Sequence, residues 1–232
     1  GHDQGGLPAH VAVGKTRAIA RLAADATPVR RVRLRWKRDT DVTMRVLGDH
    51  WERGYGDLEW RGLVAERELP WYFLTTAPDG THGYGVETGP SAICYWHVDA
   101  GGVTLVLDVR CGEFGVRLGG RELTAAVLTW RQGAADESPF EAARAFCRQM
   151  CAKPVLPAQP VYGGNNWYYA YGNSSTAEIL EDSRRIADWS PAVDNRPFMV
   201  IDDGWQLKSG GGVCRGAPWE PNGKFSDMAR LA

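Results

Sequence analysis

The chain has 232 residues, of which 44% are hydrophobic, and a formal net charge of −1. This length and composition exclude a disordered protein, allow one or two domains, and give no electrostatic reason to expect a nucleic-acid or membrane partner. No apolar run approaches the roughly 20 residues that span a bilayer, and the first residues do not have the pattern of a signal peptide.

An antiparallel β-sandwich is predicted for the first part of the chain. A half-buried strand is predicted at residues 29–36, because arginines alternate there with Val32, Leu34 and Trp36 and would form its solvent face. Short, closely spaced strands separated by glycine turns favour a sandwich. The further strands are expected at residues 42–47, 71–75, 91–98, 103–109, 115–118 and 125–130. Residues 1–28 show no clear pattern.

A helix is expected to close this first domain, which we place at residues 1–152. Ser138, Pro139 and Glu141 have the spacing of a capping box with proline at the first helical position. The following segment contains three prolines, which cannot continue a helix. We therefore predict a linker at residues 153–160.

The second domain, at residues 161–232, has the strand–helix–strand pattern of a βαβ unit. A strand is expected at residues 161–167, and Ser175 with Glu178 indicates the start of a helix. The apolar run at residues 198–201 predicts a strand covered on both faces. That strand ends at Asp202 and Asp203, and the βαβ order places Trp167 at the same end. Residues 228–232 predict the start of a second helix.

The two adjacent carboxylates are the strongest candidates for a binding site, because ligands gather at the carboxyl ends of parallel strands. Consecutive strand residues point to opposite faces, so Asp202 and Asp203 cannot be the acid and nucleophile pair of a glycosidase. They can accept hydrogen bonds from sugar hydroxyls beside an aromatic ring, and the chain contains ten tryptophans. The alternative is a solvated Asp-Asp-Gly turn.

Two other kinds of site do not fit the sequence. The glycines at 210–212 do not lead into a helix, so no helix N-terminus is available for the phosphates of a dinucleotide. The chain also has no Gly-x-Ser-x-Gly motif of the kind that positions a serine nucleophile.

Three stretches of the second domain resemble a known family. They are YGGNNWYYAYG at residues 162–172, VIDDGWQ at residues 200–206, and a third stretch with Trp219, Asn222, Lys224, Phe225 and MARLA at residues 228–232. In order and spacing these stretches are similar to the start of the melibiase-type α-galactosidases, glycoside hydrolase family 36, which shares a clan with family 27. The resemblance implies a β-sandwich followed by the first strands and helices of a (β/α)8 TIM barrel, truncated in this chain. It also implies a retaining exo-glycosidase that removes terminal α-linked galactose without a metal or an organic cofactor.

The resemblance further implies roles for individual residues. Asp202 and Asp203 would accept hydrogen bonds from galactose hydroxyls, and Trp167 would line the pocket. Tyr168 competes with Trp167, because the motif Gly-Gly-Asn-Asn-Trp differs from the family's Gly-Trp-Asn-x-Trp. Trp205 would form a wall of the pocket or part of the core. The family's catalytic aspartates lie on later strands, so no catalytic residue is expected within this chain, which would be a fragment of the enzyme.

Other activities stay open at this point. A raffinose-synthase-like galactosyltransferase and an α-N-acetylgalactosaminidase resemble the same family, and a non-catalytic sugar-binding protein would use the same carboxylates. The expected partner is an α-galactoside carbohydrate, with neither nucleic acid nor a membrane. The sequence leaves homo-oligomerisation and the cellular compartment open.

Overall fold

The computed structural model describes residues 9–207 and 219–231. Its contacts divide the chain into two compact units, Gly1–Pro154 and Val155–Ala232. The division falls at the proline-rich segment, and each unit has sheets of its own.

The first unit is sandwich-like and consists of two antiparallel sheets. The six-stranded sheet has the order β1 (Ala9–Val13), β2 (Arg17–Ala23), β10 (Glu122–Arg131), β7 (Gly80–Val86), β6 (Tyr72–Ala77) and β4 (Arg45–Gly48). The four-stranded sheet has the order β3 (Arg31–Lys37), β9 (Gly102–Asp108), β8 (Ile93–Asp99) and β5 (Leu69–Pro70). The sheet-rich first half agrees with the prediction, and β1 and β2 come from the segment that the sequence left unplaced.

Side chains from both sheets form one core, as the alternating strands require. Leu105 and Leu107 of β9 and Phe73 of β6 are fully buried. Trp71 connects the sheets through its backbone: its N–H donates to the Cys94 carbonyl at 3.0 Å, and its carbonyl accepts from the Val86 N–H at 3.1 Å. This crossing requires a left-handed backbone at Trp71, with φ of 65°.

Helix α1 (Pro139–Met150) packs on the outer face of the six-stranded sheet. Ser138 caps it by accepting from the Glu141 N–H while the Glu141 carboxylate accepts from the Ser138 N–H, which confirms the predicted capping box. Phe146 is 1% exposed and lies directly over Gly83 of β7, where a Cβ atom would be 2.4 Å from the ring. The glycine is therefore needed for the close approach of helix and sheet.

Two strand predictions were wrong in detail. Strand β7 was not expected, because its sequence GTHGYGV is rich in glycine, which weakens strands and supplies no side chains to pack. Conversely, the predicted strand at residues 115–118 is only an isolated bridge between Val116 and Val29.

The outer face of the four-stranded sheet carries the predicted arginine row. Arg31 lies opposite Asp108 across the β3–β9 pair, and its Nε donates to Asp108 Oδ2 at 2.7 Å. Arg110 donates to the same carboxylate at 3.0 and 3.1 Å. Burial alone would raise the pKa of Asp108, but the hydrogen bonds from Arg110 and Arg31 outweigh it and lower the pKa to about 2.

The Asp108 carboxylate should therefore stabilise the first unit at neutral pH. Its pKa is depressed in the folded state, so the contribution is present above the unfolded pKa of 3.8 and is lost as the pH falls towards about 2. We expect Asp108→Asn to reduce the free energy of unfolding by about 1–2 kcal/mol at neutral pH, allowing for the exposure of Arg31. Urea titrations should show this difference shrinking as the pH falls through the acidic range, and a difference that does not depend on pH would contradict the assignment.

The second unit does not form the predicted barrel. Its described residues contain a two-stranded parallel sheet, β11 (Gly163–Asn165) with β12 (Phe198–Val200), together with the short helix α2 (Trp167–Ala170) and the longer helix α3 (Thr176–Trp189). Two strands of three residues each, with one long helix between them, make a single βαβ unit and no closed array. The TIM-barrel part of the fold prediction was therefore wrong.

The burial of β12 also differs from the expectation. Phe198 is 56% and Val200 48% exposed, because α3 covers only the face that carries Met199. The strand is thus half-buried. The start of α3 agrees with the sequence, since Ser175 accepts from the Glu178 N–H. The second helix predicted at residues 228–232 is instead a 3-10 turn at Met228–Arg230, preceded by another at Gly223–Phe225, and Ala232 lies outside the described residues.

Candidate functional site

The candidate site lies where β11 and β12 end side by side. Because the strands are parallel and in the register Asn165 with Val200, Asn165 and Asp202 emerge at the same edge. Asn165 Nδ2 donates to Asp202 Oδ2 at 2.7 Å, while Asn165 Oδ1 accepts from the Trp167 N–H at 2.8 Å. One asparagine therefore fixes both the carboxylate and the start of the helix that carries the tryptophan.

The two carboxylates differ in how far they are already engaged. Both oxygens of Asp202 are used, Oδ2 by Asn165 and Oδ1 by the Asp203 N–H at 2.7 Å. Asp203 is exposed and accepts from the Gly204 N–H through Oδ1 at 2.9 Å. Within the described residues, Asp203 Oδ2 has no hydrogen-bond partner. Asp202 thus has a structural tether, whereas Asp203 retains an acceptor for a ligand.

The loops after the two strands approach each other through glycines. Gly172 and Gly204 have φ of 80° and 94°, and a Cβ atom on Gly204 would lie 2.4 Å from the Gly172 carbonyl oxygen. A Cβ atom on Gly172 would be 3.6 Å from the Asp203 carbonyl oxygen and 3.8 Å from the Trp167 ring. This contact places the edge of the indole close to the backbone of the acidic turn.

A third segment closes the same edge. Lys224 Nζ donates to the Gly172 carbonyl at 2.6 Å. Asn222 Nδ2 donates to the carbonyls of Gly204 and Gln206 at 2.8 and 3.1 Å. The segment after the second strand therefore holds the acidic turn in place, and Lys224 brings a positive charge to the edge where the carboxylates lie.

The aromatic candidates divide into half-buried and exposed rings. Trp167 is half-buried and meets Tyr171 edge-on at 5.9 Å between ring centroids. Trp205 is half-buried beside the exposed Trp219, with ring centroids 5.7 Å apart. Tyr168 is 69% exposed on α2. The geometry thus brings Trp167 to the strand ends, because its N–H donates to Asn165 at the end of β11.

A buried polar group supports the helix that carries Trp167. Asn166 is 3% exposed, and its Nδ2 donates to Ser174 Oγ at 2.8 Å and to the Tyr169 hydroxyl at 3.4 Å. The Tyr169 hydroxyl donates in turn to Asp182 of α3, and this bond raises the pKa of Tyr169. The chain of hydrogen bonds fixes α2 relative to α3.

Sequence reasoning missed three residues of the site. Asn165, Asn222 and Lys224 occur in the motifs that carry the family resemblance, but the sequence alone assigns them no contact. A signal was present for Asn165: an amide side chain directly after a predicted strand, at the edge where the acids emerge. Nothing in the local sequence indicates that Lys224 reaches Gly172, 52 residues away.

Neither the family models nor the curated proteins compared with this chain give a match.

In the described part of the chain, no group of three or more histidine, cysteine or acidic side chains could hold a metal ion. The helices in residues 9–207 and 219–231 are all too short or too polar to cross a membrane. A cleft of about 220 Å³ between α3 and β12 is lined by Ile186, Pro197 and Met199, and it contains none of the site carboxylates. We therefore define the candidate site by its chemistry and not by this cleft.

Substituting Gly204 should open the site locally. Gly204→Ala places a methyl group against the Gly172 backbone at a positive φ, which we expect to cost about 1–3 kcal/mol. The amides of Leu207 and Asn222, bonded to the carbonyls of Glu220 and Trp205, should then exchange hydrogen faster. Gly223→Ala is the matched control, because nothing lies within 4 Å of its Cβ position. Equal exchange rates in the two variants would contradict the close approach.

Proposed function

We propose that the second unit binds the terminal galactose of an α-linked carbohydrate, and that the protein acts as a retaining exo-glycosidase similar to glycoside hydrolase family 36. The observation that carries the proposal is the Asp203 oxygen that accepts no hydrogen bond within the described residues, next to Asp202, which Asn165 holds in place. The motif resemblance at residues 162–172 and 200–206 supports the choice of galactose.

The chemistry of the site favours a polyhydroxylated ligand. A carboxylate oxygen accepts hydrogen bonds from hydroxyl groups more strongly than a neutral acceptor does, and an indole face provides an apolar surface for the C–H side of a sugar ring. Lys224, whose Nζ reaches the Gly172 carbonyl, supplies a donor near the acidic turn. Donor, acceptor and aromatic surface together are what a sugar ring requires.

We assign recognition to this chain and no bond-breaking step. Asp202 and Asp203 are consecutive, and Asp202 is held by Asn165, so they do not form a nucleophile and acid pair across a glycosidic bond. In the proposed enzyme these residues bind and orient the galactose, and the catalytic carboxylates are supplied by other residues.

Sugar binding can be tested on the chain itself. Methyl α-galactoside should change the fluorescence of the half-buried tryptophans, and methyl α-glucoside should bind more weakly, because a site built on hydroxyl contacts discriminates between epimers. The Asn165→Ala variant should weaken the galactoside response, since it frees Asp202 and the start of α2. Equal responses to both sugars, or none to either, would overturn the assignment.

The proposed reaction is tested by hydrolysis assays on the full-length protein. An aryl α-galactoside should be hydrolysed in preference to the N-acetylgalactosaminide and the glucoside. Faster hydrolysis of the N-acetylgalactosaminide would indicate an α-N-acetylgalactosaminidase instead. Transfer of galactose to an added acceptor sugar would favour the galactosyltransferase, and binding without any turnover would favour a non-catalytic sugar-binding protein.

A further inference from the structure

The strongest unassigned feature is an open cleft in the first unit that is lined entirely by arginines. Arg30, Arg31, Arg33 and Arg110 surround a volume of about 290 Å³. This volume is close to the lower end of the range for small-molecule sites, about 300–1,000 Å³. The cleft lies at the edge strand β3 of the four-stranded sheet, and the proposed galactose site does not include it.

Among the residues that the structure describes, carboxylates balance only part of the positive charge of the cleft. Asp108 neutralises part of the charge of Arg31 and Arg110, and Glu113 interacts with Arg110 from nearby. Within the described residues, the guanidinium groups of Arg30 and Arg33 have no hydrogen-bond or ion-pair partner. Four guanidinium groups therefore face two carboxylates, and the excess positive charge is concentrated on Arg30 and Arg33.

Arg35, the next arginine on the same face of β3, has its charge neutralised by a carboxylate. Arg35 is two residues from Arg33 on the same face, and it forms a two-point ion pair with Asp99 at 2.7 and 2.6 Å. Across the sheet from Arg33, the register position is occupied by Val106, which offers no acceptor. In the described part of the chain, Arg35 is thus fully paired, whereas its neighbour Arg33 lines the cleft without a paired carboxylate.

We propose that this cleft binds a phosphate or sulfate group through Arg30 and Arg33, with Arg31 and Arg110 sharing their charge between the ligand and Asp108. Guanidinium forks match the oxygens of a tetrahedral oxyanion and remain charged at every physiological pH. The same chemistry is offered by a free inorganic ion and by a phosphate or sulfate ester on a saccharide. The size of the cleft leaves room for the rest of an ester beside the anionic group.

The simpler alternative is a solvated arginine row that protects the edge strand from pairing with other strands. The two explanations differ in their dependence on Asp108. If the arginines only protect the edge, replacing Asp108 has no effect on anion binding beyond the change of net charge. If they form a site, Asp108 competes with the ligand for Arg31 and Arg110, and its removal should strengthen binding.

The binding test uses the whole chain titrated with inorganic phosphate and with sulfate, followed by NMR of the arginine Nε–H signals. The signals of Arg30 and Arg33 should shift, with saturation in the millimolar range or below. The double variant Arg30→Gln/Arg33→Gln should bind at least about tenfold more weakly. The matched control Arg144→Gln/Arg148→Gln removes two exposed arginines from α1 and should bind as the wild type does.

The Asp108→Asn variant should bind phosphate about three- to tenfold more tightly than the wild type. Circular dichroism at neutral pH verifies that each variant is folded. A galactose phosphate or a sulfated galactoside that binds more tightly than the inorganic ion identifies an ester as the ligand, whereas equal affinity identifies the free ion. The proposal is overturned if the wild type shows no saturable shift, if both double variants lose the same affinity, or if folded Asp108→Asn binds more weakly.

Discussion

Phe146→Ala is expected to lower the free energy of unfolding of the first unit by about 3–5 kcal/mol. Phe146 is 1% exposed and fills the space between α1 and the sheet, directly over Gly83 and in contact with the Gly85 position. These glycines have no side chains that could move into the cavity, so the sheet cannot fill it and most of the cost of the cavity should remain. A loss of this size is a large part of the stability of a single domain.

The measurement is hydrogen exchange of the β7 and β10 amides in increasing urea, because these amides report on the first unit alone. Phe140→Ala is the matched control: it makes the same change on the same helix at a ring that is 71% exposed and contacts Arg144. We expect Phe140→Ala to lower the free energy of unfolding by less than about 1 kcal/mol. Similar losses in the two variants would show that α1 does not depend on its packing over the glycine strand.

The sandwich could be predicted to the extent that its strands alternate. Strand β3 alternates arginine with apolar residues and was placed within one residue of its observed end. Strand β2 was not recognised, because its buried face includes Ala18 and Ala20, small residues with little strand preference. Strand β7 was missed because its glycines serve helix α1, a partner about 60 residues later in the sequence. Patterns set by distant partners leave no local signal.

In the second unit, structure that depends on residues distant in the sequence was even harder to predict. The start of α3 could be predicted because a capping box depends on residues three apart. The absence of a barrel and the partial burial of β12 could not be predicted. An apolar run indicates only that a strand is suited to burial, and it does not indicate which elements cover the strand. What covers it is decided by the rest of the fold, and in the described residues only α3 does so, on the face of Met199.

The candidate site was predictable in position but not in detail. The expectation that parallel strands end at the same edge of a sheet placed Asp202, Asp203 and Trp167 together. The parallel register of β11 and β12 agrees with that placement. The difference between the two acids depends on Asn165, which is 37 residues from Asp202. The sequence therefore treated the acids as equivalent, whereas the structure leaves only Asp203 with an oxygen free of partners among the described residues.

This difference gives the second large expected effect, the loss of the proposed glycosidase activity in the Asp203→Ala variant. In the proposed complex a galactose hydroxyl donates to Asp203 Oδ2, which has no hydrogen-bond partner among the described residues, and the sugar covers a carboxylate that is now exposed. Losing a charged acceptor in that covered state should cost about 2–4 kcal/mol of transition-state binding, or roughly a 30- to 1,000-fold drop in kcat/KM on an aryl α-galactoside. The fold should be unaffected, because within the described residues the Asp203 side chain makes no hydrogen bond other than the one from the Gly204 N–H.

Two further variants separate recognition from support of the site. Asp194→Ala removes an exposed acid at the other end of β12 and should leave kcat/KM unchanged. Asp202→Ala should lower kcat/KM and also accelerate amide exchange at Trp167, since it releases Asn165 from its tether. Asp203→Ala should lower kcat/KM without changing that exchange rate. An Asp203 variant with wild-type kcat/KM would remove this residue from galactose binding, and faster exchange at Trp167 in that variant would assign it a structural role instead.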